Sequence, residues 1–360
     1  MNENFITSIY IKKLCNIKDF EIKLSEIECK HLIITGKNGS GKTTLLNKIE
    51  YSLSYDDEDF SNHKYINIAL KNREHFYQSC LFVLFAAKRH SQMVIPKSIT
   101  KITLPTAVDA NEKINNQFMQ YIVNLKAERS FAKDDNEQEA VQRIDAWFTN
   151  FEQQLQRLFD APSLQLIFDR KNYNFLIQID QQEPFALNQL SDGYSAVMSI
   201  ITELILRMEA TGNSGYDRPG IVLIDEIETH LHVGLQKKIL PFLCAFFPNI
   251  QFIVTTSPFV LSSMSNAVVC DLESREVITD LSGYSYDALV ESYFEVDKYS
   301  EVLKRKVLEF EQLSAKIALS EAEQDRYYAL KRYFDDVPTF LADELKVQLN
   351  QIKLRKMVLN

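Results

Sequence analysis

Three of the chain's nine glycines, Gly36, Gly39 and Gly41, fall within six positions of the stretch HLIITGKNGSGKTTLLNKIE, residues 31–50. Glycine reaches left-handed backbone conformations and lets another group approach the main chain, so such a cluster marks a turn built to wrap something. Lys42 and Thr43 follow directly, adding an ammonium group and a hydroxyl. The apolar run His31 to Thr35 predicts a short buried strand before the turn, and Thr43 to Glu50 predicts a helix after it. A strand, Gly36-x-x-x-x-Gly41-Lys42-Thr43 and a helix form the phosphate-binding (Walker A) pattern. In it, backbone N–H groups curl around a β-phosphate and the helix N-terminus adds partial positive charge. Gly36, Lys37, Asn38, Gly39, Ser40, Gly41, Lys42, Thr43 and Thr44 are therefore the expected nucleotide contacts. Lys42 would reach the β- and γ-phosphates and Thr43 would ligate Mg²⁺.

A second pair of chemical groups stands in GIVLIDEIETHLH, residues 220–232, where the apolar run Ile221 to Ile224 ends in Asp225 and Glu226. Two adjacent carboxylates at the tip of a buried strand are expensive unless something positive sits there. Asp225 is expected to hold Mg²⁺ through its water shell. Glu226 would orient or deprotonate the water that attacks a γ-phosphate, which makes Glu226 and Lys42 the expected catalytic pair. A third stretch, LNQLSDGYSAVMSIITELILR, residues 187–207, places Leu190-Ser191-Asp192-Gly193-Tyr194-Ser195 ahead of an apolar helix. A serine hydroxyl, a glycine and a helix N-terminus together suit an anion.

With these three motifs in this order, the chain resembles the ABC-type ATPases, in particular their soluble SMC/RecF-like branch, over Phe5 to roughly Leu281. In that family a signature motif reaches the γ-phosphate held by the opposite protomer. The resemblance therefore implies that Ser191 and Gly193 contact nucleotide bound by a second copy, two copies sandwiching two ATP·Mg²⁺. Asp192 stands where the family usually has glycine and Tyr194 where it has glutamine or glutamate, so slow or conditional ATP hydrolysis is expected. In QFIVTTSPFVLSS, residues 251–263, Thr256 occupies the place of the family's switch histidine. Gln92 is the candidate for the glutamine that contacts Mg²⁺, and His230 and His232 read as packing and turn residues rather than a metal pair. The arrangement is most similar to small bacterial ATPases of anti-phage systems: Septu (PtuA-like), retron-associated and OLD-like. GYSYDALVESYFEVD, residues 283–297, contributes to that likeness. Those ATPases work with a nuclease, often of HNH or Toprim type. This chain shows no clustered His/Asn signature or further acidic strand, so a nuclease or other effector in trans is implied, with DNA or RNA in the complex. Two alternatives are a stand-alone RecF/SMC-like DNA-repair or clamp ATPase and a transporter's nucleotide-binding subunit.

The elements that must position these groups follow from the patterning. Alternation over the first 35 residues predicts strands, SCLFVLFAA (79–87) a buried strand, and Pro96 to Val108 a loop-rich connector. Asn115 to Phe159 reads as helix with a polar break at 133–139, and residues 163–180 as a hairpin turning at RKN. From Pro184 to Leu281, helices alternate with apolar strands, as in a parallel sheet. The fold class is α/β: an ABC-ATPase head with a mostly parallel core sheet, N-terminal antiparallel strands, a helical insertion and a helical C-terminal module. The expected divisions are 1–95 (lobe with Walker A), 96–162 (mainly helical insertion), 163–282 (core with signature and Walker B) and 283–360 (helical module).

A length of 360 residues, 46% hydrophobic and 25% charged, is ordinary for a folded soluble chain. The net charge of −9 argues against a generally DNA-coating surface. The basic groups AKRH (87–90), KRK (304–306) and KLRK (353–356) read as solvated faces. Five scattered cysteines suggest neither a disulfide framework nor a zinc site. No signal-peptide core or membrane-length apolar run is visible, so no membrane partner and a cytoplasmic location are expected.

Overall fold

The computed structural model describes residues 4–54, 65–91, 93–212, 216–256, 266–279, 301–316 and 319–335. Gln92, the Ser-Pro following Thr256, and residues 283–297 lie outside them. Contact clustering divides the chain into residues 1–286 and 287–360.

The first unit is organised around strands that are mostly apolar in sequence. β3 (His31–Thr35), β9 (Gly220–Ile224), β10 (Ile250–Thr255) and β11 (Ala267–Asp271) are buried at every position. That is the signature of a parallel sheet covered on both faces. They form one six-stranded sheet with β5 (Leu81–Phe85) and β12 (Glu276–Ile278), in the order β12-β11-β3-β10-β9-β5. Every pairing is parallel except β11 with β12. β10 therefore lies between the strand that precedes the glycine turn and the strand that ends in the two acids. Its register, Thr255 opposite Ile34 and Val254 opposite Ile224, brings their C-terminal ends level.

A separate antiparallel sheet, β2-β1-β4, uses β1 (Ile6–Leu14), β2 (Ile17–Lys23) and β4 (Ile66–Leu70). Helix α1 (Lys42–Ser54) buries Leu45, Leu46, Ile49 and Leu53 in one apolar cluster with Ile9 and Ile11 of this sheet and Ile34 and Ile253 of the core sheet. The short α2 (Arg73–Ser79) leads into β5. α3 (Phe118–Asp134) and α4 (Gln138–Phe159) are broken where the polar run predicts, with Asn136 in the left-handed region at φ 61°. A small antiparallel sheet, β6 (Gln165–Asp169), β7 (Asn174–Gln178) and β8 (Phe185–Ala186), follows. Then come α5 (Asp192–Glu209), buried continuously from Ala196 to Met208, and α6 (Val233–Phe246). The α/β class with a mostly parallel core sheet and N-terminal antiparallel strands is thus present.

In the second unit, α7 (Glu301–Ala315) and α8 (Glu321–Asp335) pack as a pair. Val307, Phe310 and Leu313 are buried against Leu330 and Phe334, with Leu303 partly buried beside them. These apolar positions, recurring at helical spacing, serve internal packing.

Candidate nucleotide-binding site

The glycine turn joins β3 to α1. Gly36, Gly39 and Gly41 all have positive φ, at 131°, 86° and 103°, conformations that other residues adopt only with strain. At Gly36 space is also limiting, because a Cβ there would lie 2.8 Å from Ser40 Oγ. The Lys42 ammonium folds back to donate to the carbonyls of Gly36 (2.7 Å) and Lys37 (3.2 Å). Lys37 is exposed and pairs with Glu273 at 2.7 Å. Asn38 and Thr44 are exposed, whereas Ser40 Oγ is buried and has no hydrogen-bond partner. A lysine donating into the turn and an orphaned hydroxyl inside it fit an anion: phosphate oxygens would give both groups acceptors.

The two predicted halves of the metal site meet although 182 residues separate them. Thr43 Oγ1 donates to the Asp225 carboxylate, at 3.0 Å to Oδ2 and 3.2 Å to Oδ1. Asp225 is 7% exposed, and the hydrogen bonds its carboxylate receives come from hydroxyls. A buried carboxylate partnered by neutral groups favours a nearby cation, and oxygen ligands of this type suit a hard ion such as Mg²⁺.

Thr255, at the end of β10, organises both acids. Its hydroxyl donates to Asp225 Oδ1 at 2.6 Å and accepts from the Glu226 N–H at 2.7 Å. Glu226 itself is exposed, sits at φ 45°, and accepts at Oε2 from Thr229 Oγ1 at 3.0 Å. Sequence reasoning passed over Thr255. The available signal is the first hydroxyl, Thr255, after the mostly apolar IQFIV, level with Asp225.

Arg89 is a correction. Within AKRH it reads as part of a solvated face, yet it is 6% exposed. Its guanidinium donates to the carbonyls of Asp225 (2.8 Å), Glu226 (3.0 Å) and Ile227 (2.8 Å), and to Ala86 (3.2 Å). Burial pushes its pKa down to about 10, with the nearby charges of Glu228, Asp225 and Glu226 pulling it back up. Tertiary placement decides its role: β5 pairs with β9, so the segment leaving β5 passes directly over the acidic turn. Periodicity along the chain carries no such information.

The signature stretch caps α5. Ser191 occupies the N-cap at φ −59°, ψ 158°, but its hydroxyl makes no cap hydrogen bond and the residue is exposed, as is Asp192. Gly193 has a local reason to be glycine, since a Cβ there would lie 3.0 Å from the His230 carbonyl oxygen. Tyr194 stacks on Phe159 with centroids 4.2 Å apart and planes 8° apart, so packing against the end of α4 accounts for an aromatic residue there. The Ser91 N–H donates to Ser195 Oγ at 3.0 Å, tying the Arg89 segment to the first turn of α5. His232 caps α6, its Nδ1 accepting from the Leu235 N–H at 3.4 Å. His230, at φ 69°, lies with its ring 5.6 Å from that of His90. Thr256 is buried and donates its N–H to the Ile34 carbonyl at 3.0 Å.

Comparison with known proteins places these motifs in context. A family model described as "AAA domain, putative AbiEii toxin, Type IV TA system" matches residues 95–262. The Septu protein PtuA of Bacillus mycoides (strain KBAB4) is 24% identical over 331 residues, covering 81% of this chain and 45% of the relative. The retron Ec83 probable ATPase of Escherichia coli is 32% identical over 161 residues, covering 41% of this chain and 28% of the relative. This chain spans less than half the length of the curated relatives it matches. Among solved structures, the SMC head domain from Thermotoga maritima is 13% identical with a TM-score of 0.40, covering 74% of this chain and 94% of that one. The expected likeness to the ATPases of Septu and retron systems is thus found. Among the described residues, no helix is long and apolar enough to cross a membrane.

Proposed function

We propose that this chain, similar to Septu and retron ATPases, binds ATP with Mg²⁺ at the Gly36–Thr44 loop and hydrolyses it to ADP and phosphate. It would dimerise around ATP and act as sensor and scaffold of an anti-phage complex whose nuclease is a separate chain. One observation carries the ATPase reading: the Thr43 hydroxyl reaches both oxygens of the Asp225 carboxylate beside a glycine loop that already turns Lys42 inward. The effector partner and any DNA or RNA in the complex rest on the likeness to defence ATPases alone. Residues 1–95 and 163–282 would form the ATPase body, 96–162 an inserted helical lobe and 283–360 a helical module.

In this mechanism Lys42 leaves the Gly36 carbonyl to pair with the β- and γ-phosphate oxygens. Thr43 directly and Asp225 through a water would hold Mg²⁺, which would supply charge neutralisation to the phosphates. Glu226 accepts the proton of the attacking water, its backbone fixed by Thr255 and Arg89 and its carboxylate by Thr229. Ser191 and Gly193 of a second copy close over the nucleotide with the positive end of α5. Phosphate-release assays with Lys42→Ala and Glu226→Gln test the assignment. Lys42→Ala is expected to abolish ATP binding in calorimetry. Glu226→Gln is expected to keep binding and lose hydrolysis by roughly a hundredfold or more. Unchanged binding in Lys42→Ala would remove the loop assignment. If the purified chain associates with no nuclease and DNA stimulates its hydrolysis, the stand-alone clamp replaces the defence scaffold.

A further inference from the structure

Away from the nucleotide site, a cavity of about 520 Å³ lies among α3, α4 and the end of α5, within the range of small-ligand sites. Three aromatic rings line it: Tyr121, Trp147 and Tyr216. They are held in place from behind. Trp147 meets Tyr121 edge-on at 5.8 Å and stacks on Phe151 at 5.3 Å, while Tyr216 packs against Phe246 at 4.9 Å.

The charges are asymmetric. Two carboxylates, Glu209 and Glu128, face one cation, Arg143, and Arg143 pairs with Glu128 at 3.1 Å where both side chains are more than half exposed, at 59% and 52%. Among the described residues no salt bridge reaches Glu209. Burial lifts the pKa of its carboxyl above the ordinary value, although the neighbouring Tyr121 hydroxyl and Trp147 indole and the more distant Arg143 charge favour the ionised form. Tyr216 Oη is buried and completes no hydrogen bond, which in a folded protein calls for an unseen partner, whereas the Trp147 indole N–H faces the Glu209 carboxylate.

These features select the occupant. Aromatic faces attract cations, and a half-buried carboxylate with no salt bridge among the described residues strengthens that preference. Phosphate-bearing ligands would be repelled by the two glutamates. A guanidinium is planar, stacks on rings and can fork onto a carboxylate, which an ammonium cannot. A free amino acid would carry its own carboxylate toward Glu209 and Glu128, whereas a side chain within a polypeptide would not. We propose that this cavity binds an arginine side chain of a partner protein, the guanidinium lying among Trp147, Tyr121 and Tyr216 and paired with Glu209. A backbone carbonyl flanking that arginine accepts from Tyr216 Oη. Binding needs neither ATP nor a second copy of this chain, so its failure and the failure of the ATPase reading are separable.

Trp147 is the chain's only tryptophan, so intrinsic fluorescence reports directly on the cavity. The full chain is titrated with N-acetyl-arginine amide, with the neutral isostere N-acetyl-citrulline amide, and with guanosine as a flat uncharged ligand. A saturable change is expected with arginine amide, weaker by about tenfold or more with citrulline amide and by about fivefold or more in Glu209→Gln. Equal responses to arginine and citrulline, no saturable response to arginine, or unchanged affinity in a folded Glu209→Gln variant would overturn the proposal. A response to guanosine in place of arginine would reassign the cavity to a nucleobase. Should Glu209→Gln fail to fold, the discrimination between arginine and citrulline by the unaltered chain decides alone.

Discussion

Arg89 shows how much of the acidic turn depends on a residue that touches neither phosphate nor metal. Its three hydrogen bonds to the carbonyls of residues 225–227 hold the backbone on which the Asp225 carboxylate and the left-handed Glu226 are mounted. Arg89→Ala removes the arginine partner of the buried Asp225 and Ile227 carbonyls, while the Glu226 carbonyl keeps the Thr229 N–H at 2.9 Å, destabilising the fold by about 2–4 kcal/mol. We expect hydrolysis to fall about tenfold or more while ATP affinity, measured by calorimetry, changes less than about threefold. Arg89→Lys should recover little, because an ammonium cannot fork across several carbonyls. Equal losses in binding and turnover would argue that Arg89 merely supports the loop. His31 gives a pH prediction. Its Nδ1 accepts from the Phe252 N–H at 3.1 Å, and burial pushes its pKa down to about 4 from an ordinary 6.5. The folded state thus resists a proton that the unfolded chain accepts. Stability is present above about pH 6.5 and is lost as the pH falls toward 4, by up to about 3 kcal/mol. Urea midpoints across that window should fall less steeply in His31→Gln than in the unaltered chain.

At the scale of elements, α5 couples the signature stretch to the connector that follows β5. Although its sequence reads as apolar, it buries Glu203 (0% exposed) and Arg207 (5%), ion-paired at 2.7 Å. Glu203 Oε2 also accepts from the Ile114 and Asn115 N–H groups at 2.7 and 2.9 Å. Arg207 donates to the carbonyls of Val108, Asp109 and Glu112. Lys113 adds hydrogen bonds to the Leu84 and Ala110 carbonyls. A connector with no regular structure of its own is therefore stapled to one helix and one strand. Removing a single partner from such a network leaves an uncompensated buried charge, so Glu203→Ala should lower the unfolding free energy by about 3–5 kcal/mol. A loss below about 1 kcal/mol in urea titrations would show that the network is strained or solvated. The double substitution Glu203→Leu with Arg207→Met, which removes both charges, should recover part of the loss.

At the scale of the whole molecule, the exposed Ser191 hydroxyl at the start of α5 is where a second copy would close the proposed site. Glu226→Gln with ATP should double the mass seen by light scattering, and adding EDTA should reverse it. A monomer with nucleotide demonstrably bound would count against the shared site. If the chain binds DNA, the negative overall charge confines contact to local basic patches, and affinity should fall steeply with salt. One such patch is reduced, since Arg89 is buried while Lys88 and His90 stay exposed. In the second unit, Lys306 lies over the Tyr333 ring at 3.4 Å, so part of KRK serves helix packing.

The groups that repeat a local pattern were legible without any structure. The glycine spacing at 36–41, the acids closing an apolar strand at 225–226, and the alternation of helices with buried strands all depend on near neighbours in the chain, which the order of residues records. The strand order, the level placement of Thr255 between β3 and β9, the burial of Arg89 and the pairing of Glu203 with the connector were decided by tertiary structure. Each joins segments remote in sequence through hydrogen bonds that no local periodicity encodes. The same polar residue types serve as solvated surface in one register and as the scaffold of the proposed phosphate site in another. Only the sheet that brings β5, β9, β10 and β3 side by side distinguishes the two.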